Sequence, residues 1–157
     1  MTILRTEGLC KQYPAFCLHD VSFSIEEGRV MGLIGRNGAG KTTTIKALLR
    51  LIRPDGGITK FLGEPVDDDA AALRRACGYV SGDLCYYPRK TLAQLTAVTK
   101  SFYEDWDDAR YASLLTRFSL VDTKRVCELS AGMKVKYQLA CALSHGARLL
   151  ILDEPTS

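Results

Sequence analysis

Apolar and polar residues alternate at Val21, Phe23 and Ile25, with Ser22, Ser24 and Glu26 between them. That period of two predicts a half-buried strand ending at Glu27 and Gly28. Val30-Met31-Gly32-Leu33-Ile34 is apolar throughout, the pattern of a strand covered on both faces of a parallel sheet. It runs straight into a glycine-rich stretch, Gly35-Arg36-Asn37-Gly38-Ala39-Gly40, which must turn tightly. Ile45, Leu48, Leu49 and Ile52 then recur at helical spacing up to Pro54-Asp55-Gly56-Gly57, which predicts an amphipathic helix and its stop. The sequence therefore opens with a strand, a tight loop and a helix.

Farther along, residues 58–66 read as a short extended segment around Gly63, residues 69–76 as a helix, and Cys77-Gly78-Tyr79-Val80 as another strand. The character changes at Thr91, which forms a capping box with Gln94. Leu92, Leu95, Thr99 and Phe102 share one helical face, and Tyr111, Leu114, Leu115 and Phe118 share the face of the next helix. A helical insertion over about residues 91–130 is the expectation. A third helix starts after Ser130, with Val135, Leu139, Ala142 and Leu143 expected inward and Gly146 as its stop. Residues 148–152 predict a buried strand that delivers Asp153 and Glu154. The class expected is α/β, with no internal repeat.

The 157 residues have the length of one domain, and 46% hydrophobic with 25% charged residues is the balance of an ordinary soluble globular protein. The net charge of +3 comes from 21 basic and 18 acidic residues scattered without a basic run, so nucleic acid is not an expected partner. Apolar stretches such as Leu149 to Leu152 fall far short of the roughly 20 residues that cross a bilayer. The N-terminus also lacks a basic segment followed by a long apolar one, so a cytoplasmic location is expected. The six cysteines form no C-x-x-C pair, which points to reduced thiols before metal ligands or disulfides.

Chemistry enters at Gly35 to Thr42, which satisfies G-x-x-x-x-G-K-[ST] between a predicted strand and a predicted helix. Glycines let successive backbone N–H groups turn toward phosphate oxygens, and the helix N-terminus adds its positive dipole end. Lys41 would reach the β- and γ-phosphates and Thr42 would hold Mg²⁺; a glycine turn with a chance lysine fits both flanks much less well. The strand ending in Asp153 and Glu154 supplies two carboxylates at a sheet edge. Asp153 would orient Mg²⁺ and Glu154 would polarise the attacking water. Taken alone, a solvated acidic pair would explain them as well. Leu129-Ser130-Ala131-Gly132-Met133 opens a helix, where Ser130 and Gly132 would form a second anion site, although a simple Ser N-cap accounts for the tripeptide by itself.

The phosphate loop, this L-S-A-G-M and the closing Leu152-Asp153-Glu154-Pro155-Thr156-Ser157 together resemble ATP-binding cassette (ABC) proteins, in order and in spacing, over essentially the whole chain. The resemblance implies a P-loop NTPase core of mainly parallel strands, an N-terminal antiparallel flap and the helical insertion, all in one nucleotide-binding domain, residues 1–157, incomplete at its C-terminus. It implies ATP and Mg²⁺ as ligands, with Gly35, Arg36, Asn37, Gly38, Ala39, Gly40, Lys41, Thr42 and Thr43 at the phosphates and Thr42 and Asp153 at the metal. Glu154 is then the catalytic carboxylate. Tyr13, in Lys11-Gln12-Tyr13-Pro14, matches the family's aromatic that stacks on adenine, where a surface tyrosine in a turn is the plain alternative. Ser130 and Gly132 would meet the γ-phosphate held by a second cassette subunit, of the same or a different chain.

Met133 and the stretch from Ser101 to Asp107 look like the bacterial branch that serves exporters of bacitracin or multidrug type. The implied function is ATP hydrolysis coupled to transport by a membrane permease, the chain lying peripherally on the inner face of the membrane. Two other readings stand beside it: a truncated, non-hydrolysing ATP-binding remnant, and a soluble cassette ATPase acting on ribosomes or DNA. The family's glutamine after the Gly-Tyr-Val strand falls here on Gly82, with Asp83 as a substitute. His19 and His145 are expected to be structural or surface residues.

Overall fold

Strand β1, Thr2–Tyr13, pairs antiparallel on one edge with β2, Phe16–Glu26, and on the other with β3, Gly56–Phe61. The short β4, Glu64–Pro65, completes a four-stranded sheet in the order β2-β1-β3-β4. Alternation explains the pairing: Leu4, Leu9, Leu18 and Phe61 are buried on one face, while Val21, Phe23 and Ile25 are half-buried. Thr6 and Thr59 are buried among them, and their hydroxyls lie 3.3 Å apart, so neither leaves an unsatisfied polar group in the core. Helix α1, Lys41–Leu48, contributes Ile45, Ala47 and Leu48 to the same interior, and Leu49 follows them at the C-cap. The helix stops earlier than its apolar spacing suggests: Arg50 takes a positive φ of 53°, and Ile52 is only half-buried.

The computed structural model describes residues 1–81 and 87–154, and these divide into two compact units, Met1–Arg74 and Arg75–Ser157. Helix α2, Ala71–Ala76, ends the first and leads into the second.

In the second unit β5, Cys77–Ser81, and β6, Leu149–Asp153, form a parallel pair in which Ser81 lies opposite Asp153. Helix α3, Leu92–Lys100, begins at the expected capping box: the Gln94 N–H donates to Thr91 Oγ1 at 3.2 Å, and the Thr91 N–H donates back to Gln94 Oε1 at 3.1 Å. Helix α4, Asp108–Phe118, is capped by Asp107, and a 3₁₀ turn, Val126–Glu128, leads to α5, Ala131–Ser144. Leu92, Leu95, Tyr111, Leu114, Val126, Tyr137 and Ala140 form one apolar cluster, with Leu115 and Phe118 packed against it. Inside it the Thr96 hydroxyl meets Tyr111 at 2.7 Å and Tyr137 at 3.0 Å. Helix α5 ends at the expected place, with Gly146 at φ +70° just beyond its cap.

Four expectations are corrected. The strand expected to be buried over residues 148–152 is β6, in which Leu149 and Asp153 are buried while Leu150 is 40% and Leu152 50% exposed, because β6 pairs with β5 on one edge and alternates its faces. Val30 to Ile34 forms no strand among the described residues: the segment is extended to solvent, with Val30 101% and Ile34 96% exposed. Its composition suits a covered strand, but the sheet of its own unit is made wholly from β1 to β4, and a strand without a ladder partner has no stabilising bonds. Phe102 lies beyond the end of α3 and is 70% exposed, because the helix closes at Lys100. On α5 the fully buried stripe is Tyr137, Ala140, Cys141 and Ser144, together with Ala142, while Val135, Leu139 and Leu143 are half-buried.

Candidate functional site

In the first unit, residues 35–43 connect the exposed segment to α1. The Ala39 N–H donates to Arg36 O at 3.0 Å, closing a turn over Asn37 and Gly38. Gly38 has φ +82°, and Gly40, the N-cap of α1, has φ +94°, conformations that a side chain would strain. A Cβ built at Gly38 meets nothing within 4 Å, so the backbone there is open to an approaching group. The Lys41 ammonium donates to Gly35 O at 3.0 Å and to Arg36 O at 3.3 Å, which lays its charge across the loop. Lys41, Thr42 and Thr43 are half-buried in the first turn of the helix, and Thr44 bonds back to Gly40 O at 2.9 Å. Positive-φ glycines, an ammonium and a helix N-terminus form a donor set suited to a polyphosphate. A neighbouring Thr hydroxyl suits Mg²⁺, which is held by one or two protein groups together with substrate phosphates and water. No cluster of three His, Cys, Asp or Glu side chains that could hold a metal occurs among the described residues.

Tyr13 ends β1 and faces Phe16 across a two-residue hairpin loop, Pro14 and Ala15. It is 37% exposed, and the Lys11 ammonium lies over its ring, 5.6 Å from the centroid. Asp55 anchors that lysine at 2.9 Å and accepts the Gln12 N–H at 2.7 Å, two bonds that hold its carboxyl below the usual carboxylate range.

In the second unit Asp153 is buried at the end of β6, and Tyr79 on β5 donates to its Oδ2 at 3.2 Å. Burial first, and then the Asp153 charge, push the Tyr79 phenol up to about 12, so it remains a donor. Glu154, the next residue, is exposed and takes a left-handed φ of 46°, an uncommon conformation for a non-glycine residue. Gln138 of α5 clasps the end of β5: Ser81 N donates to its Oε1 at 3.0 Å, and its Nε2 donates to Ser81 O at 2.8 Å. Sequence reasoning missed both Tyr79 and Gln138. The available signal was a glutamine between the apolar Tyr137 and Leu139, since a polar side chain that is partly buried there must find a partner.

Ser130 is the N-cap of α5, its Oγ accepting the Met133 N–H at 3.3 Å, so the plain capping role is realised. Gly132 is exposed, and a Cβ there would meet nothing within 4 Å. The chain's own packing therefore gives no reason for a glycine at that position. Gly82 and Asp83 lie outside the described residues, as do Pro155 to Ser157. His145 is buried, stacked on Tyr103 at 3.9 Å between centroids, in keeping with a structural role.

Comparison with known proteins agrees with the motifs. The family described as "ABC transporter" matches residues 18–157. The chain is 36% identical over 141 residues to the ABC transporter ATP-binding protein YtrB of Bacillus subtilis, covering 88% of this chain and 47% of that protein. It is 37% identical over 145 residues to the Nod factor export ATP-binding protein I of Burkholderia lata, covering 89% and 48%. Among solved structures, the ATP binding subunit of an ABC transporter superposes with a TM-score of 0.86 at 32% identity, covering 99% of this chain and 67% of that one. The chain thus spans about half the length of the curated relatives it matches.

Proposed function

Because this chain belongs to the ABC transporter ATP-binding family, we propose that it binds MgATP and hydrolyses it to drive a membrane permease. The observation that carries this reading is the loop at residues 35–43, where open glycines at positive φ, the Lys41 ammonium and the start of α1 converge. Lys41 neutralises phosphate oxygens, and the loop from Gly35 to Thr43 supplies backbone donors. Thr42 and Asp153 are assigned to Mg²⁺, which when bound neutralises charge developing on the transferred phosphoryl group. Glu154 orients and polarises the attacking water, and Tyr13 receives the adenine.

Ser130 and Gly132 serve a second cassette subunit. The side-chain-free surface at Gly132, unexplained by internal packing, supports close approach by an outside group such as a γ-phosphate. A groove of about 430 Å³ beside α3, lined by Tyr87, Lys90, Val98 and Phe102, offers apolar surface for the permease. Among the described residues no helix is long and apolar enough to cross a membrane. The family reading assigns the membrane-spanning part to a permease and the chain to the inner membrane face.

The test is calorimetry with MgATP on folded wild type and Lys41→Ala, together with phosphate release by full-length protein carrying Glu154→Gln. Lys41→Ala should lose binding, and Glu154→Gln should keep binding and lose turnover. Equal ATP affinity in wild type and Lys41→Ala would end the phosphate-loop assignment. Wild-type turnover by Glu154→Gln would end the catalytic one.

A further inference from the structure

An aromatic ring buttresses the phosphate loop. Phe16, the first residue of β2, lies so close to the loop that a Cβ at Gly40 would stand 2.7 Å from Phe16 Cζ and 3.1 Å from Leu18 Cδ1. The same ring stands 6.5 Å from Tyr13, centroid to centroid, with the planes tilted by 33°. The pairing of Tyr13 with Phe16 at the hairpin fixes this neighbourhood, and the Lys11 ammonium, held by Asp55, lies over the Tyr13 ring. A continuous set of contacts therefore runs from Asp55 through Lys11, Tyr13 and Phe16 to Gly40. Phe16 lies against both the loop glycine and the Tyr13 ring.

We propose that Phe16 is a positioning residue for the nucleotide, setting the distance and tilt between the Tyr13 ring that stacks on the base and the glycine loop that holds the phosphates. The inference rests on the MgATP reading above. A ligand that reaches both ends at once gains from each only when their separation matches its own length, so a shifted platform loses the base contact and leaves the phosphate contact intact. Phe16 is half-buried at the head of β2, and its ring tip occupies the space that a side chain at Gly40 would need, so the ring and the glycine loop fit one another. A smaller, flexible side chain would fill part of the space without holding Tyr13 at its angle.

The experiment compares two ligands, MgATP and magnesium tripolyphosphate, which has the phosphates but no base. Affinities are measured by calorimetry on wild type and Phe16→Leu. Phe16→Leu should weaken MgATP about tenfold while changing tripolyphosphate by less than about twofold. The ratio of the two affinities is the decisive readout, because a partly unfolded sample lowers the active fraction for both ligands alike. Equal loss of both ligands in Phe16→Leu would show a merely structural prop and overturn the proposal while leaving the MgATP reading in place. Unchanged MgATP affinity would overturn it too. Wild type that binds neither ligand would overturn the MgATP reading and this proposal with it.

Discussion

The same substitution, glycine to alanine, should have opposite effects at two positions that α5 touches. At Gly78 on β5 a new methyl would lie 2.5 Å from Ala142 Cβ, 2.7 Å from Leu150 Cδ2 and 3.3 Å from Ala147 Cβ. Carbon atoms pack favourably at about 3.5–4.0 Å, so α5 must retreat from β5 by roughly 1 Å. Leu150 is 40% exposed and can swing aside, but the Ala142 methyl is fixed to the helix backbone and buried. Overpacking of this kind costs about 1–3 kcal/mol, and the lower entropy of the unfolded alanine chain returns about 0.4–1 kcal/mol. The net expectation is a loss of about 1–2 kcal/mol.

At Gly132, in the first turn of α5, the methyl would enter open space, and alanine's helix propensity should add up to about 1 kcal/mol. Urea denaturation followed by circular dichroism measures both variants, and about 2–4 °C per kcal/mol is the corresponding thermal shift for a chain of this size. Gly78→Ala that is neutral or stabilising would refute the close approach of α5 to β5. Gly132→Ala that destabilises would refute the open surface. On the function proposed above, the Gly132 variant of the full-length protein should also hydrolyse ATP more slowly despite its added stability, because the methyl would occupy the approach proposed for a second subunit's nucleotide.

Three further outcomes follow from the second unit. Ser130→Ala should lose about 1 kcal/mol with the cap to Met133, while Ser130→Asp should keep the cap and its stability but, on the proposed function, abolish hydrolysis by placing a negative charge at the proposed anion site, as denaturation and phosphate-release assays would read. Tyr137→Phe removes one of the two hydroxyls on Thr96 and should cost about 1 kcal/mol in urea denaturation, with the Tyr111 contact retained. Burial holds the His145 imidazole below its ordinary 6.5, so the unfolded chain takes up its proton at higher pH than the folded one. Stability from this group is complete above about pH 6.5 and falls as pH drops below it, so a denaturation series from pH 8 to 5 should show a loss that His145→Phe flattens.

Local chemistry was legible in the chain itself. The loop at residues 35–42, the capping box at Thr91 and Gln94, the Ser130 cap, the Gly146 stop and the strand ending at Asp153 all depend on a few adjacent residues, whose conformational demands are met within one or two turns. What needed a partner was not legible. Val30 to Ile34 has the composition of a central strand, yet ladder bonds come from a neighbour that spacing does not specify. Helix α5 is apolar nearly all round, from Val135 through Tyr137, Leu139 and Ala140 to Leu143, so periodicity could not choose the stripe. Contact with α3, α4 and β5 chose Tyr137, Ala140, Cys141 and Ser144. Gln138 on Ser81, Tyr79 on Asp153 and Phe16 against Gly40 join residues 57, 74 and 24 positions apart, and only the folded chain brings such pairs within bonding or packing distance.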